Sequence, residues 1–150
     1  MFRRTRRLVI PVLVLFLGGC AALQNPFRSG RTEGGIRNEG GATIISGVAL
    51  DDQRGSVLET MVGRVPGMKI QRHPDKCPQV SLRSHVTFRS VVNPQVYVDA
   101  TRTTDTCILE SLQTDNVESI EIYPTGVTMR PGYATHAHGL ILIFLRGANE

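Results

Sequence analysis

The sequence predicts an α/β or α+β domain, with one small sheet and a few short helices. Three observations carry this. Ser119-Ile120-Glu121-Ile122-Tyr123 alternates apolar and polar residues, the period-2 pattern of a half-buried strand. Gly139 to Leu145 (GLILIFL) is continuously apolar, as a central strand covered on both faces must be. Ser56-x-x-Glu59 is a capping-box pattern, heading a segment whose Val57, Leu58, Met61, Val62 and Val65 share one helical face. Strand and helix signals intermix along the chain, which suits a layered mixed fold.

The size agrees with one domain. The chain has 150 residues, 41% of them hydrophobic and 20% charged, enough for one modest core. That balance argues against disorder and against a polytopic membrane protein, and a transmembrane barrel needs more strands than this length supplies. The formal charge is +4, from 17 Lys+Arg against 13 Asp+Glu. The excess sits at the front, in Met1-Phe2-Arg3-Arg4-Thr5-Arg6-Arg7, before an apolar run from Leu8 to Leu17. A basic head, a short apolar stretch interrupted by Pro11 and small residues before Cys20 describe an export signal, too short to span a bilayer.

Leu17-Gly18-Gly19-Cys20 resembles the lipobox of bacterial lipoproteins. The resemblance implies cleavage after residue 19 and acylation of the Cys20 thiol, whose attached chains give a stable anchor. Ala21, rather than Asp, implies by resemblance to enteric sorting rules the outer membrane, and the domain is expected to face the periplasm. Removing residues 1–19 takes away four basic residues and no acidic one, which leaves 13 against 13. The basic-patch argument for nucleic acid therefore collapses. Residues 20–42, with Gly30, Gly34, Gly35, Gly40 and Gly41, read as a flexible tether, and residues 43–150 as the folded domain.

Within that domain the elements follow in order. Thr43-Ile44-Ile45 has strand character, and the capped helix after it stops at Pro66-Gly67. Met68 to Arg72 alternates, with Met68 and Ile70 facing one way, and Val80-Ser81-Leu82-Arg83 alternates again. Gln95-Val96-Tyr97-Val98-Asp99 is a β-rich run after Asn93-Pro94. Ile108, Leu109 and Leu112 suggest a short helix with a Thr or Asp cap just before it. Ser119 to Tyr123 ends at Pro124, and Gly139 to Leu145 closes the series.

Five blocks, in order, resemble the plug domain of TonB-dependent receptors. Leu58 to Ile70 (LETMVGRVPGMKI) is similar to that family's opening helix and "VPG" turn, and Val80-Ser81-Leu82-Arg83 to its "IRIRG" strand. Pro94 to Asp99 (PQVYVD) resembles "PLYVVDG", and Asn116 to Tyr123 (NVESIEIY) resembles "DIESIEVL". Tyr133-Ala134 with Gly139 to Ile143 stands where the family writes "YG…NGVILI". The resemblance implies a mixed sheet of about four strands with short flanking helices. In the receptors this domain fills a barrel and gates TonB-powered uptake. This chain is expected to carry the plug without the barrel. Ala100 and Ser84 replace family glycines, which disfavours positive φ at those turns, and Ala134 replaces a third. No TonB-box run is obvious in the tether.

Once Cys20 is acylated, Cys77 and Cys107 remain, and in an oxidising compartment they most simply pair. The competing reading is a zinc or copper site drawn from His73-x3-Cys77, His136-x-His138 and Cys107. Catalysis has little support. There is no nucleophile elbow, phosphate loop or H-E-x-x-H, and no ordering of His85, Asp99 and nearby serines makes a recognisable triad. Arg83, Asp99, Glu118 and Glu121 are polar at strand positions, and for them a solvated face is the simpler reading. Two function classes follow. One is a non-enzymatic, lipid-anchored accessory module associating with an outer-membrane barrel or another envelope protein, without a cofactor. The other is a periplasmic small-ligand or metal binder using loops such as His85 to Asn93 and His136 to His138.

Overall fold

The computed structural model describes residues 34–82 and 92–147. The export signal, Cys20, most of the tether, Arg83, Ser84 and His85 lie outside the described residues. The rest forms a mixed α+β domain on a six-stranded sheet, with a separate two-stranded hairpin and a few short helices. The strands of the sheet are β1 (Ile36–Glu39), β2 (Ala42–Ser46), β5 (Gln95–Val98), β6 (Thr101–Arg102), β7 (Val117–Tyr123) and β8 (Leu140–Leu145); β3 (Lys69–His73) and β4 (Lys76–Ser81) form the hairpin. The sheet order is β1-β2-β7-β8-β5-β6, parallel only between β5 and β8.

The apolar run of β8 explains its place near the centre. Leu140, Ile141, Leu142 and Ile143 are all buried, so both faces are covered. On one face Ile45, Val96, Ile120, Ile122, Ile141 and Ile143 pack with helices α2 (Val57–Met61) and α3 (Ile108–Ser111), with Val80 of the hairpin and with Leu82 just after it. A fully buried aliphatic side chain of this kind contributes about 2 kcal/mol. On the other face Tyr97, Tyr123, Leu140 and Leu142 gather Ile44, Phe144 and, from the 124–139 loop, Tyr133. The rings of Tyr97 and Tyr133 meet edge to face, 5.1 Å between centroids.

Helix α2 begins as its sequence predicts. The Ser56 hydroxyl accepts the Glu59 N–H and the Glu59 carboxylate accepts the Ser56 N–H, each at 3.3 Å. It is shorter than its apolar face implied. Val62 leaves the helix with extended backbone and is 51% exposed. Ahead of α3, the Asp105 carboxylate accepts the Cys107 N–H at 2.9 Å, while the N-cap position itself falls on Cys107.

Three expectations need correction. The sheet has six strands rather than about four, because β1 and the two-residue β6 extend it at its edges. The tether assigned to residues 20–42 gives way to β1 at Ile36. Gly40 and Gly41, read as flexible, instead take the two positive φ values (57° and 80°) of a tight hairpin turn that pairs Glu39 with Ala42. The third concerns the turn after β5, where losing a glycine was expected to disfavour positive φ. Asp99 and Ala100 adopt it regardless, at 43° and 65°. The Val98–Thr101 pairing leaves a two-residue turn, for which positive φ at both positions matches the strand twist, and Asp99 is held there by accepting the Leu145 N–H at 2.9 Å. Helix α1 (Val48–Asp51), which buries Leu50, had no clear sequence signal.

Candidate functional site

The polar chemistry of the domain concentrates on the second sheet face. Register sets one row across three strands: Arg37 of β1 opposite Ile44 of β2, and Ile44 opposite Glu121 of β7. Alternation along β7 places Ile120 and Ile122 in the first core and leaves Glu121 and Tyr123 on this opposite face. That face is not open to water here. The 124–139 loop folds over it, and Glu121 is only 3% exposed, which corrects the solvated reading for this residue. Glu118, by contrast, is exposed.

A buried carboxylate needs partners, and among the described residues Glu121 accepts three hydrogen bonds from two of them. Arg130 donates from Nε to Oε2 at 2.7 Å and from Nη2 to Oε1 at 2.5 Å, a bidentate fork. The Tyr123 hydroxyl donates to Oε2 at 2.8 Å. Arg130 also lies over the Phe144 ring, 4.9 Å from its centroid. Burial pushes the Tyr123 hydroxyl above its ordinary pKa, and its bond to Glu121 adds to the rise. Arg130 is pushed up chiefly by its hydrogen bond to Glu121. Burial also raises Tyr133. The loop reaches this position through Gly126, whose φ of 71° and close approach leave no room for a side chain: a Cβ there would fall on the His136 carbonyl.

Beside the fork lies a cleft of about 390 Å³. Its charged lining is Arg37, Arg130, Arg146, Asp51, Glu118 and Glu121. Arg146 is fixed much as Arg130 is, donating from Nη2 to Asp51 at 2.5 Å and from Nε to the Val117 carbonyl at 2.8 Å.

The two remaining cysteines come together outside this cleft. Cys77 and Cys107 form a disulfide with Cα atoms 4.6 Å apart. It joins the β3–β4 hairpin to the head of α3, beside the Thr106 hydroxyl bond to the Pro78 carbonyl (2.5 Å) and the Arg72–Glu110 ion pair (3.3 Å). Both sulfurs are thereby engaged. Among the described residues the one group of three potential metal ligands is Cys77, Asp105 and Cys107, so the histidine pairs are not brought into a ligand set. His136 and His138 sit with ring centroids 5.7 Å apart, and among the described residues the buried His136 Nδ1 has no hydrogen-bond partner. The carboxylate of Asp99 accepts the Leu145 N–H.

Arg130 and Arg146 were not singled out by the sequence. A signal for Arg130 existed in hindsight: a lone acid inside an apolar strand, followed nine residues later by a cation in a Gly/Pro-rich loop.

No family model and no curated protein matches the chain. Among solved structures it is similar to chains of the RagAB peptide importer. In the "open-open" state the TM-score is 0.55 at 17% identity, covering 73% of this chain and 12% of that one. In the "closed-closed" state it is 0.55 at 16% identity, covering 74% and 13%. The domain thus spans about an eighth of those chains' length. At such identity the likeness is one of fold.

Proposed function

We propose that this chain is a non-enzymatic, lipid-anchored plug-like module of the bacterial outer membrane, facing the periplasm and associating with a barrel or other envelope protein of a TonB-dependent uptake system. The observation that carries the reading is the fold likeness to chains of a peptide importer over nearly three quarters of this chain. The five plug-like sequence blocks support it, since their described residues follow in order along α2–β3, the end of β4, β5, β7 and the loop into β8. In this reading Cys20 carries the acyl chains. The domain's polar groups serve its own loops and its partner rather than bond-breaking chemistry.

The test is affinity capture of the full chain from detergent-solubilised outer membranes, with intact-mass analysis of the recovered protein. Acylated Cys20 and stoichiometric co-recovery of an outer-membrane barrel are expected. A soluble monomer with an unmodified Cys20 thiol, or one holding stoichiometric metal, would overturn the reading.

A further inference from the structure

The cleft beside the Glu121–Arg130 fork holds charged groups that the described part of the fold does not use. Two of its three guanidiniums are fixed internally, Arg130 by Glu121 and Arg146 by Asp51 and the Val117 carbonyl. In each, Nη1 takes no part in those contacts. Arg37 and Glu118 also line the cleft, and among the described residues neither side chain has a hydrogen-bond or ion-pair partner. Among the described residues the lining therefore presents one free cation and one free anion. Two further guanidiniums are already ordered, so little of their side-chain entropy remains to be lost on binding.

From this we infer that the cleft binds a small zwitterion, an amino acid or short peptide with free termini. Its α-carboxylate meets Arg37 and the outer N–H groups of Arg130 and Arg146, and its α-ammonium meets Glu118. The volume of about 390 Å³ admits a ligand of that size. Charge-assisted bonds between guanidinium and carboxylate are directional and bidentate, which suits a carboxylate terminus. A simple anion matches the lining less well, because three acids stand among the three arginines. Arg37 sits on the exposed edge strand and Glu118 is exposed at the start of β7, so both can be altered without disturbing either core.

The inference concerns the isolated domain and does not need a barrel, so it can fail while the proposed association stands, and the reverse. Alanine, dialanine and trialanine are titrated into the purified full chain while backbone amide NMR shifts are followed. Saturable shifts at Ile44, Ser46 and Ser119 are expected for at least one of them. The tightest ligand is then compared with its N-acetyl and C-amide forms, each expected to bind about tenfold more weakly, as loss of a charge-assisted bond implies. Arg37→Met should abolish the preference for the free carboxylate, and Glu118→Gln the preference for the free ammonium, with unchanged far-UV circular dichroism. No saturable shift with any of the three overturns the inference. So do blocked ligands that bind as tightly as free ones, or two variants that both bind like the parent.

Discussion

Replacing Arg130 by Met removes the cation from a carboxylate that water barely reaches. Glu121 is 3% exposed and would keep only the Tyr123 hydroxyl of its three donated bonds. Breaking one side of a buried ion pair costs about 3–5 kcal/mol. The Arg130 side chain is 51% exposed, so water enters once it is gone and screening lowers the figure. We expect a loss of about 2–3 kcal/mol of unfolding free energy. Glu121→Gln keeps the shape and an acceptor for Tyr123 while freeing Arg130 to turn toward water, and should cost about 1–2 kcal/mol. The double variant should then lose clearly less than the sum, by about 1–2 kcal/mol, because the second change removes a group already orphaned by the first. Urea unfolding followed by far-UV circular dichroism measures all three; the chain has no Trp to report by fluorescence. A cost below about 0.5 kcal/mol for Arg130→Met, or additivity within about that margin, would refute the argument that the fork holds the loop to the sheet.

Three further outcomes follow from the same structure. The Cys77→Ser/Cys107→Ser variant releases a closed loop of sequence separation 30 and should lose about 3.7 kcal/mol on the chain-entropy model, read from urea midpoints; an unchanged midpoint would mean that the hairpin is held without the bond. Ala100→Gly relieves a positive φ of 65° and should stabilise by about 1 kcal/mol, so a thermal midpoint that fails to rise would show the turn to be unstrained. Tyr123 has a folded pKa raised above the ordinary value of 10.0. Its contribution is complete below that value and is lost as pH rises through the raised one, so stability should fall in alkali and Tyr123→Phe should flatten the fall. A variant slope equal to the parent's would remove Tyr123 from the account.

The elements that read clearly in the sequence are those whose pattern records local burial. β8 could be seen because both its faces are covered, and α2 because Ser56 and Glu59 form their caps within one turn. What could not be read depended on distant chain. Period-2 alternation in β7 separates two faces but does not say whether the second is roofed. Only the 124–139 loop, folding back through Gly126, turns Glu121 from a surface acid into a buried one. The Gly40-Gly41 pair is ambiguous in the same way, since glycine signals a tight turn and a flexible linker alike. The composition of residues 34–42 could not distinguish them. The cleft joins Arg37 to Arg146, more than a hundred positions away in sequence, and no local pattern encodes that meeting.

The position of β1 has a mechanical consequence. As an edge strand bonded, among the described residues, only to β2, it is where tension applied upstream of Gly34 first meets the described part of the fold. A pull directed sideways, off the sheet, meets the Ile36–Ile45 pair first and opens the four pairs singly toward the Gly40-Gly41 turn. A pull along the strand axis loads all four pairs together and meets far more resistance. β1 can therefore yield as a fuse while the sheet centre, two strands inward, stays intact. Farther along the chain, the covalent loop between Cys77 and Cys107 blocks the extension of everything it encloses. At β1, then, the direction of the load decides how readily slack is released.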